Sequence, residues 1–153
     1  MTVAYDEAVP RDARVAALYE ELIAGWNAQD ADRYAAPFAD DGVVIGFDGS
    51  EMEGRGAIAD EMRRIFADHE TADYVAKVRC VSALGSDAAV LRAVVGMIPP
   101  GGSEVLGERH AHQTVVAVGD RIVLFQNTPA QYHGRPEVVE RLTSELQAVA
   151  DGG

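Results

Sequence analysis

Apolar residues at Val15, Leu18, Tyr19, Leu22 and Trp26 recur every three or four positions. That is the spacing of one helix face, and it predicts a helix over residues 11–28. Asp30 can cap a second, short helix carrying Tyr34 and Phe38, which Asp41-Gly42 ends. Residues 43–47 read as a strand. Asp48-Gly49 suits a type I′ hairpin turn, with a short return strand over 51–53. Gly54-Arg55-Gly56 then opens a third helix with Ile58, Met62, Ile65 and Phe66 as its stripe.

The period changes in the second half. Strands are predicted over residues 74–84, 87–98, 104–118 and 121–128, with two-residue turns at Gly85-Ser86 and Gly119-Asp120. A last helix covers residues 136–149. The order predicts an α+β fold: one curved antiparallel sheet with helices over one face. With 153 residues a single domain is expected over 1–153, ordered between 10 and 150 and frayed at both ends.

Two-residue turns fix strand register, so the faces can be derived by pairing. Around Gly85-Ser86, Cys80 opposes Leu91 and Val78 opposes Ala93. One face then holds Tyr74, Ala76, Val78, Cys80, Leu91, Ala93, Val95 and Met97 and should look inward. The other holds Lys77, Arg79 and Arg92 and should look outward. Around Gly119-Asp120, His112 opposes Asn127 and Thr114 opposes Phe125. Both faces of that hairpin are mixed. If residues 99–102 form a four-residue loop, Leu91 opposes His110 and the histidines continue the inward face. One more loop residue reverses this.

Charge and cysteine count narrow the function classes. The formal charge of −12 argues against nucleic acid and anionic membranes as partners and slightly favours neutral or cationic ligands. No apolar run reaches membrane-helix length, and the N-terminal stretch lacks the order of a signal peptide. The single cysteine, Cys80, allows no internal disulfide. A cytoplasmic protein is expected.

The layout, with WNAQDADRYAAPFADDG at residues 26–42, resembles the nuclear transport factor two-like superfamily, which includes SnoaL-like and ketosteroid isomerase-like proteins. A narrower stretch, FQNTPAQYHGRPEVVERLTSEL at 125–146, is similar to the SgcJ/EcaC group. That group is assigned an oxidoreductase role and occurs among enediyne and other polyketide biosynthesis genes. The resemblance implies a cone: a strongly bent sheet, mixed at its edge, that wraps a long helix and leaves a pocket. It also implies a homodimer through the outer sheet face, with Gln113, Val115, Leu124 and Gln126 in the interface. The tyrosine and aspartate of ketosteroid isomerases fall at Leu22 and Gly46 here, so both groups are missing. No dinucleotide fingerprint or cysteine pair supports redox chemistry, and GMIPPGG at 96–102 is a turn.

These residues give a candidate site. His110 and His112 would move protons near neutral pH, and Asn127 would bind a carbonyl. Trp26 and Tyr34 would hold the carbon skeleton, with Phe47, Met62, Phe66, Met97 and Phe125 as further lining. Glu108 shares the histidine face, but one strand rarely completes a metal site, so neither metal nor cofactor is expected. His133 is read as structural, His69 as complementing a helix dipole and Cys80 as a small buried hydrophobe. The function expected is action on a hydrophobic polyketide- or polyene-type intermediate by cyclisation, isomerisation or dehydration. The alternatives are a non-catalytic binding or shielding module and a metal-dependent oxidoreductase.

Overall fold

The computed structural model describes residues 2–11 and 13–152. Among them the order is β1 (Val3–Tyr5), α1 (Arg14–Asn27), α2 (Ala31–Ala35), β2 (Phe38–Ile45), β3 (Glu51–Glu53), α3 (Arg55–Asp68), β4 (Asp73–Leu84), β5 (Ala88–Ile98), β6 (His110–Val118), β7 (Arg121–Ala130) and α4 (Pro136–Ala150). The strands form one seven-stranded sheet in the order β1-β4-β5-β6-β7-β2-β3. It is mixed, because β1 runs parallel to β4 and β2 parallel to β7. Residues 3–5, expected to fray, instead extend the sheet edge, Val3 opposing Ala76. Asp12 and Gly153, which the expected first helix and frayed tail include, lie outside the described residues.

The α1 stripe buries Val15, Tyr19, Leu22 and Ile23 in the concave face of the sheet, and α1 touches β4, β5, β6 and β7. The WNAQD stretch ties this helix down. The Trp26 indole N–H donates to the Ala72 carbonyl at 2.8 Å. The Asn27 amide meets Tyr74 like an extra strand, donating to its carbonyl at 3.0 Å and accepting its N–H at 2.8 Å. Asp30 caps α2, accepting from Arg33 N at 3.0 Å. Gly25 lets α2 cross here, since a Cβ would stand 2.5 Å from Tyr34 N.

Helices cover both faces of the sheet, not one. α4 lies on the convex side, where Leu142, Leu146 and Val149 pack with Val75, Val94 and Val105 into a second apolar cluster. Gly96 makes room, because a Cβ there would meet Val105 at 2.6 Å and Leu146 at 3.0 Å. Lys77 and Arg79, expected to look outward, lie on this side and pair with Glu145 of α4. Arg79 grips that carboxylate with two bonds, of 2.6 and 2.7 Å.

Register decides where the chemistry goes. The β5–β6 connection spans residues 99–109, far longer than the four-residue loop considered above. It is held down by α4: Val105 N–H donates to the Gln147 side chain, which donates to the Ser103 carbonyl. Leu91 therefore opposes Val115, not His110. In β6–β7 the pairing follows the turn only as far as Ala117↔Ile122. A bulge then slips it by one, so Asn127 opposes Gln113 while His112 opposes Thr128.

Candidate functional site

A cavity of about 660 Å³ opens between the concave face of the sheet, α1–α2 and α3. Trp26 and Tyr34 come from the α1–α2 junction, Val44 and Phe47 from β2 and its turn, Met62 and Ile65 from α3, and Tyr74, Phe125 and Asn127 from β4 and β7. The volume is in the range of small-molecule sites, and the wall is mostly apolar and aromatic. Trp26 stands 5.1 Å from Tyr74 and 6.2 Å from Tyr34, ring centre to ring centre.

Of the residues proposed from sequence, Trp26, Tyr34, Phe47, Met62, Phe125 and Asn127 line this cavity. Phe66 supports the wall from behind, edge-on to Trp26 at 5.6 Å. Met97 is buried in the core and does not line the cavity. His110 and His112 are not there at all. Both project to the convex side, opposite the face that carries Ala111, Gln113 and Val115. Their expected grouping with Asn127 is overturned, by the bulge and by the long β5–β6 loop. Gln113 and Val115, assigned to a dimer interface, are instead fully buried under α1, whereas Leu124 and Gln126 do face outward. Cys80 is half-buried beside Ser82 at the β4 bulge rather than in the core.

The polar interior is a directed hydrogen-bond chain that sequence reasoning missed. Tyr19 OH donates to Gln113 Oε1 at 2.6 Å. Gln113 Nε2 donates to Asn127 Oδ1 at 3.4 Å, and Asn127 Nδ2 donates to Tyr74 OH at 2.8 Å. Tyr74 thus accepts, and its own proton has no acceptor among the described residues. Burial raises the Tyr74 phenol to about 12 despite the bond from Asn127. Tyr34 is pushed up too, by burial and then by Tyr74. Both remain neutral donors at physiological pH. The available signal is the register: Tyr74 is read as inward, but Gln113 joins its face only through the long β5–β6 connection, which sets it opposite Ala93, and the β6–β7 bulge then brings it opposite Asn127.

The rim is charged. Asp48, Glu51, Glu53 and Glu61 stand around it with Arg64 and His69, and Arg64 pairs with Glu61. Leu22, one of the two positions compared with ketosteroid isomerases, is core, while Gly46, the other, lines the cavity without a side chain. The cavity interior therefore offers phenol and amide groups rather than a carboxylate.

On the convex side His110 is buried against α4. Its Nε2 lies 3.0 Å from Thr143 Oγ1, whose hydroxyl donates to the Val139 carbonyl. Thr143 must then accept, which makes His110 the Nε2–H tautomer, with Nδ1 unpartnered among the described residues. Burial lowers its pKa, and Glu108 only partly offsets this. Among the described residues no group of three or more His, Cys, Asp and Glu is placed to hold a metal ion. No helix among them is long and apolar enough to cross a membrane.

A bent sheet around a helix, with an apolar cavity at its open end, is the cystatin-like, NTF-2 like fold. The SnoaL-like domain family matches residues 19–125, and the chain belongs to that family. Solved structures share the fold. A cystatin-like protein from Nostoc punctiforme is 23% identical with a TM-score of 0.73, covering 91% of this chain and 95% of its own. A ketosteroid isomerase-like protein from Erwinia carotovora atroseptica is 15% identical with a TM-score of 0.62, covering 79% and 97%. An NTF-2 like protein from Shewanella oneidensis is 15% identical with a TM-score of 0.60, covering 75% and 96%. No curated protein matches the chain.

Proposed function

We propose that the chain binds a neutral, largely apolar small molecule through a carbonyl or similar oxygen acceptor, which the Tyr74 hydroxyl donates to. The observation that carries this is the one-way chain Tyr19→Gln113→Asn127→Tyr74, which leaves a proton at the cavity wall. A phenol that already accepts a hydrogen bond is a stronger donor, and here it works away from bulk water. Tyr34 supplies a second hydroxyl on the same wall. The aromatic and aliphatic remainder suits a polyketide- or polyene-type skeleton. The similarity of residues 125–146 to the SgcJ/EcaC group supports placing that ligand in secondary metabolism. Among the described residues the cavity interior holds no imidazole or carboxylate, so binding and carbonyl polarisation come first and proton transfer by His110 or His112 has no route to this ligand. Polarising an enone is also the electrophilic half of an isomerisation, the chemistry that the isomerase-like fold neighbour's name suggests. Self-association, where it uses the outer face, has Leu124 and Gln126 available on β7.

The test uses β-ionone, an apolar enone whose ultraviolet band moves to longer wavelength when its carbonyl accepts a hydrogen bond. Saturable binding with that shift is expected. Tyr74→Phe should lose the shift and weaken binding about tenfold, the worth of one well-placed hydrogen bond, while a thermal melt confirms folding. Binding without the shift, or an unchanged Tyr74→Phe, refutes the reading. Deuterium incorporated next to the carbonyl in heavy water would add turnover to binding.

A further inference from the structure

On the convex side a cleft of about 240 Å³ lies between the sheet and α4. Its charge is the reverse of the cavity rim. Arg79, Arg92 and Arg141 line it against one carboxylate, Glu145, in a chain of net charge −12. Arg79 is held by Glu145 and Asp6. Arg92 and Arg141 are exposed and have no carboxylate partner among the described residues. His112, the Thr114 hydroxyl and Tyr132 stand on the same cleft, and Val94, Val138 and Leu142 supply an apolar side.

Tyr132 shapes one wall of the cleft. It takes a φ of +50°, a left-handed backbone uncommon for a bulky aromatic residue. In that conformation its ring lies 6.1 Å from His110 and 6.5 Å from His112, closing one end of the cleft. The strain buys a position for an aromatic ring beside free cations. Partial burial and then the charges of Arg79 and Arg92 lower the His112 pKa, so the imidazole is neutral where a further positive charge beside the arginines would be costly.

We propose that this cleft is a binding site for a small organic anion, a carboxylate or phosphate on a short apolar body, held by Arg92 and Arg141 with His112 and Tyr132 beside it. The site is independent of the enone cavity, which opens on the other face of the sheet. Two guanidinium forks suit planar or tetrahedral oxyanions, and Val94, Val138 and Leu142 suit the body that carries them. A bound anion reverses the repulsion that His112 feels. Groups facing that imidazole are Arg79 from β4, Arg92 from β5, Tyr132 from the loop after β7, and Arg141 and Glu145 from α4.

Benzoate and phenyl phosphate are titrated into the full chain, with neutral benzamide as control, by calorimetry and by the His112 ring proton resonances. Saturable binding of at least one anion is expected, with the His112 titration midpoint moved to higher pH. Benzamide should bind at least tenfold more weakly. Arg92→Gln and Arg141→Gln are surface changes that should leave the melt unchanged and weaken the anion about tenfold each. Tyr74→Phe should not alter it. The two anions separate the sources: a preference for benzoate names a carboxylate, and one for phenyl phosphate names a phosphate ester. Equal binding of benzamide, or unchanged affinity in both arginine variants, would overturn the proposal. So would a dimer that dissociates on Arg92→Gln, because the cleft would then be filled by protein.

Discussion

His110 carries one proton on Nε2 and keeps an Nδ1 unpartnered among the described residues, in a site almost closed to water. Protonating Nδ1 would bury a charge, so the folded state holds its pKa below the ordinary 6.5. Below that value the unfolded chain binds more protons than the folded one, and stability falls as pH falls. The loss begins as pH drops through the ordinary imidazole range and is complete below the folded-state value. Glu145, at about 2, adds its own loss only in far stronger acid, below the ordinary carboxylate value of 4.5. Thermal melts between about pH 7.5 and 5.5 therefore isolate the imidazoles. His110→Gln, which can still donate to Thr143, should lose less stability over that window than the natural chain. An equal loss would refute the assignment.

The α1–α2 junction builds one wall of the cavity, and Gly25 sets how closely the helices cross. Gly25→Ala places a methyl against the Tyr34 backbone, which cannot swing aside as a side-chain tip could. A cost of about 3 kcal/mol is expected, from strain of the overpacking kind. Because Trp26 and Tyr34 sit on that junction, β-ionone affinity should fall as well. Urea titration and the absorbance assay read the two effects separately. The helices were legible because an apolar stripe is periodic whatever lies beyond its ends. Faces were legible only where strand irregularities cancelled. In β4–β5 the pairing near the turn is displaced by one, Leu84 meeting Ala88, and the bulge before Cys80 restores it. Tyr74, Ala76 and Val78, with Leu91, Ala93, Val95 and Met97, therefore face inward as expected. In β6–β7 the single bulge is uncompensated, and every residue from Val116 back to His110 pairs one place away from the expected partner. Nothing in the sequence around Val116 marks that bulge. Nor does Pro99–Gly102 disclose that the chain continues to residue 109 before pairing again, since α4, far along the chain, holds that loop.

At the scale of the molecule, the sheet separates two cavities of opposite character. On the concave side the interior is uncharged and the rim carries four carboxylates against one guanidinium, Arg64. On the convex side three arginines outnumber one carboxylate. Strand β6 serves both, with Gln113 in the inner chain and His112 on the outer cleft. Salt should separate them. Ion attraction across an exposed cleft weakens once the screening length falls to a few ångströms, whereas a neutral hydrogen bond in an apolar cavity does not depend on screening. Raising sodium chloride from about 0.05 to about 0.5 M should weaken benzoate binding several-fold and leave β-ionone affinity unchanged. Chloride also competes for free guanidinium groups, so sodium sulfate at matched ionic strength should act at least as strongly on benzoate. If β-ionone affinity fell in parallel with benzoate, the two would share a charged site, and the assignment of neutral chemistry to the concave side and anionic chemistry to the convex side would fail together.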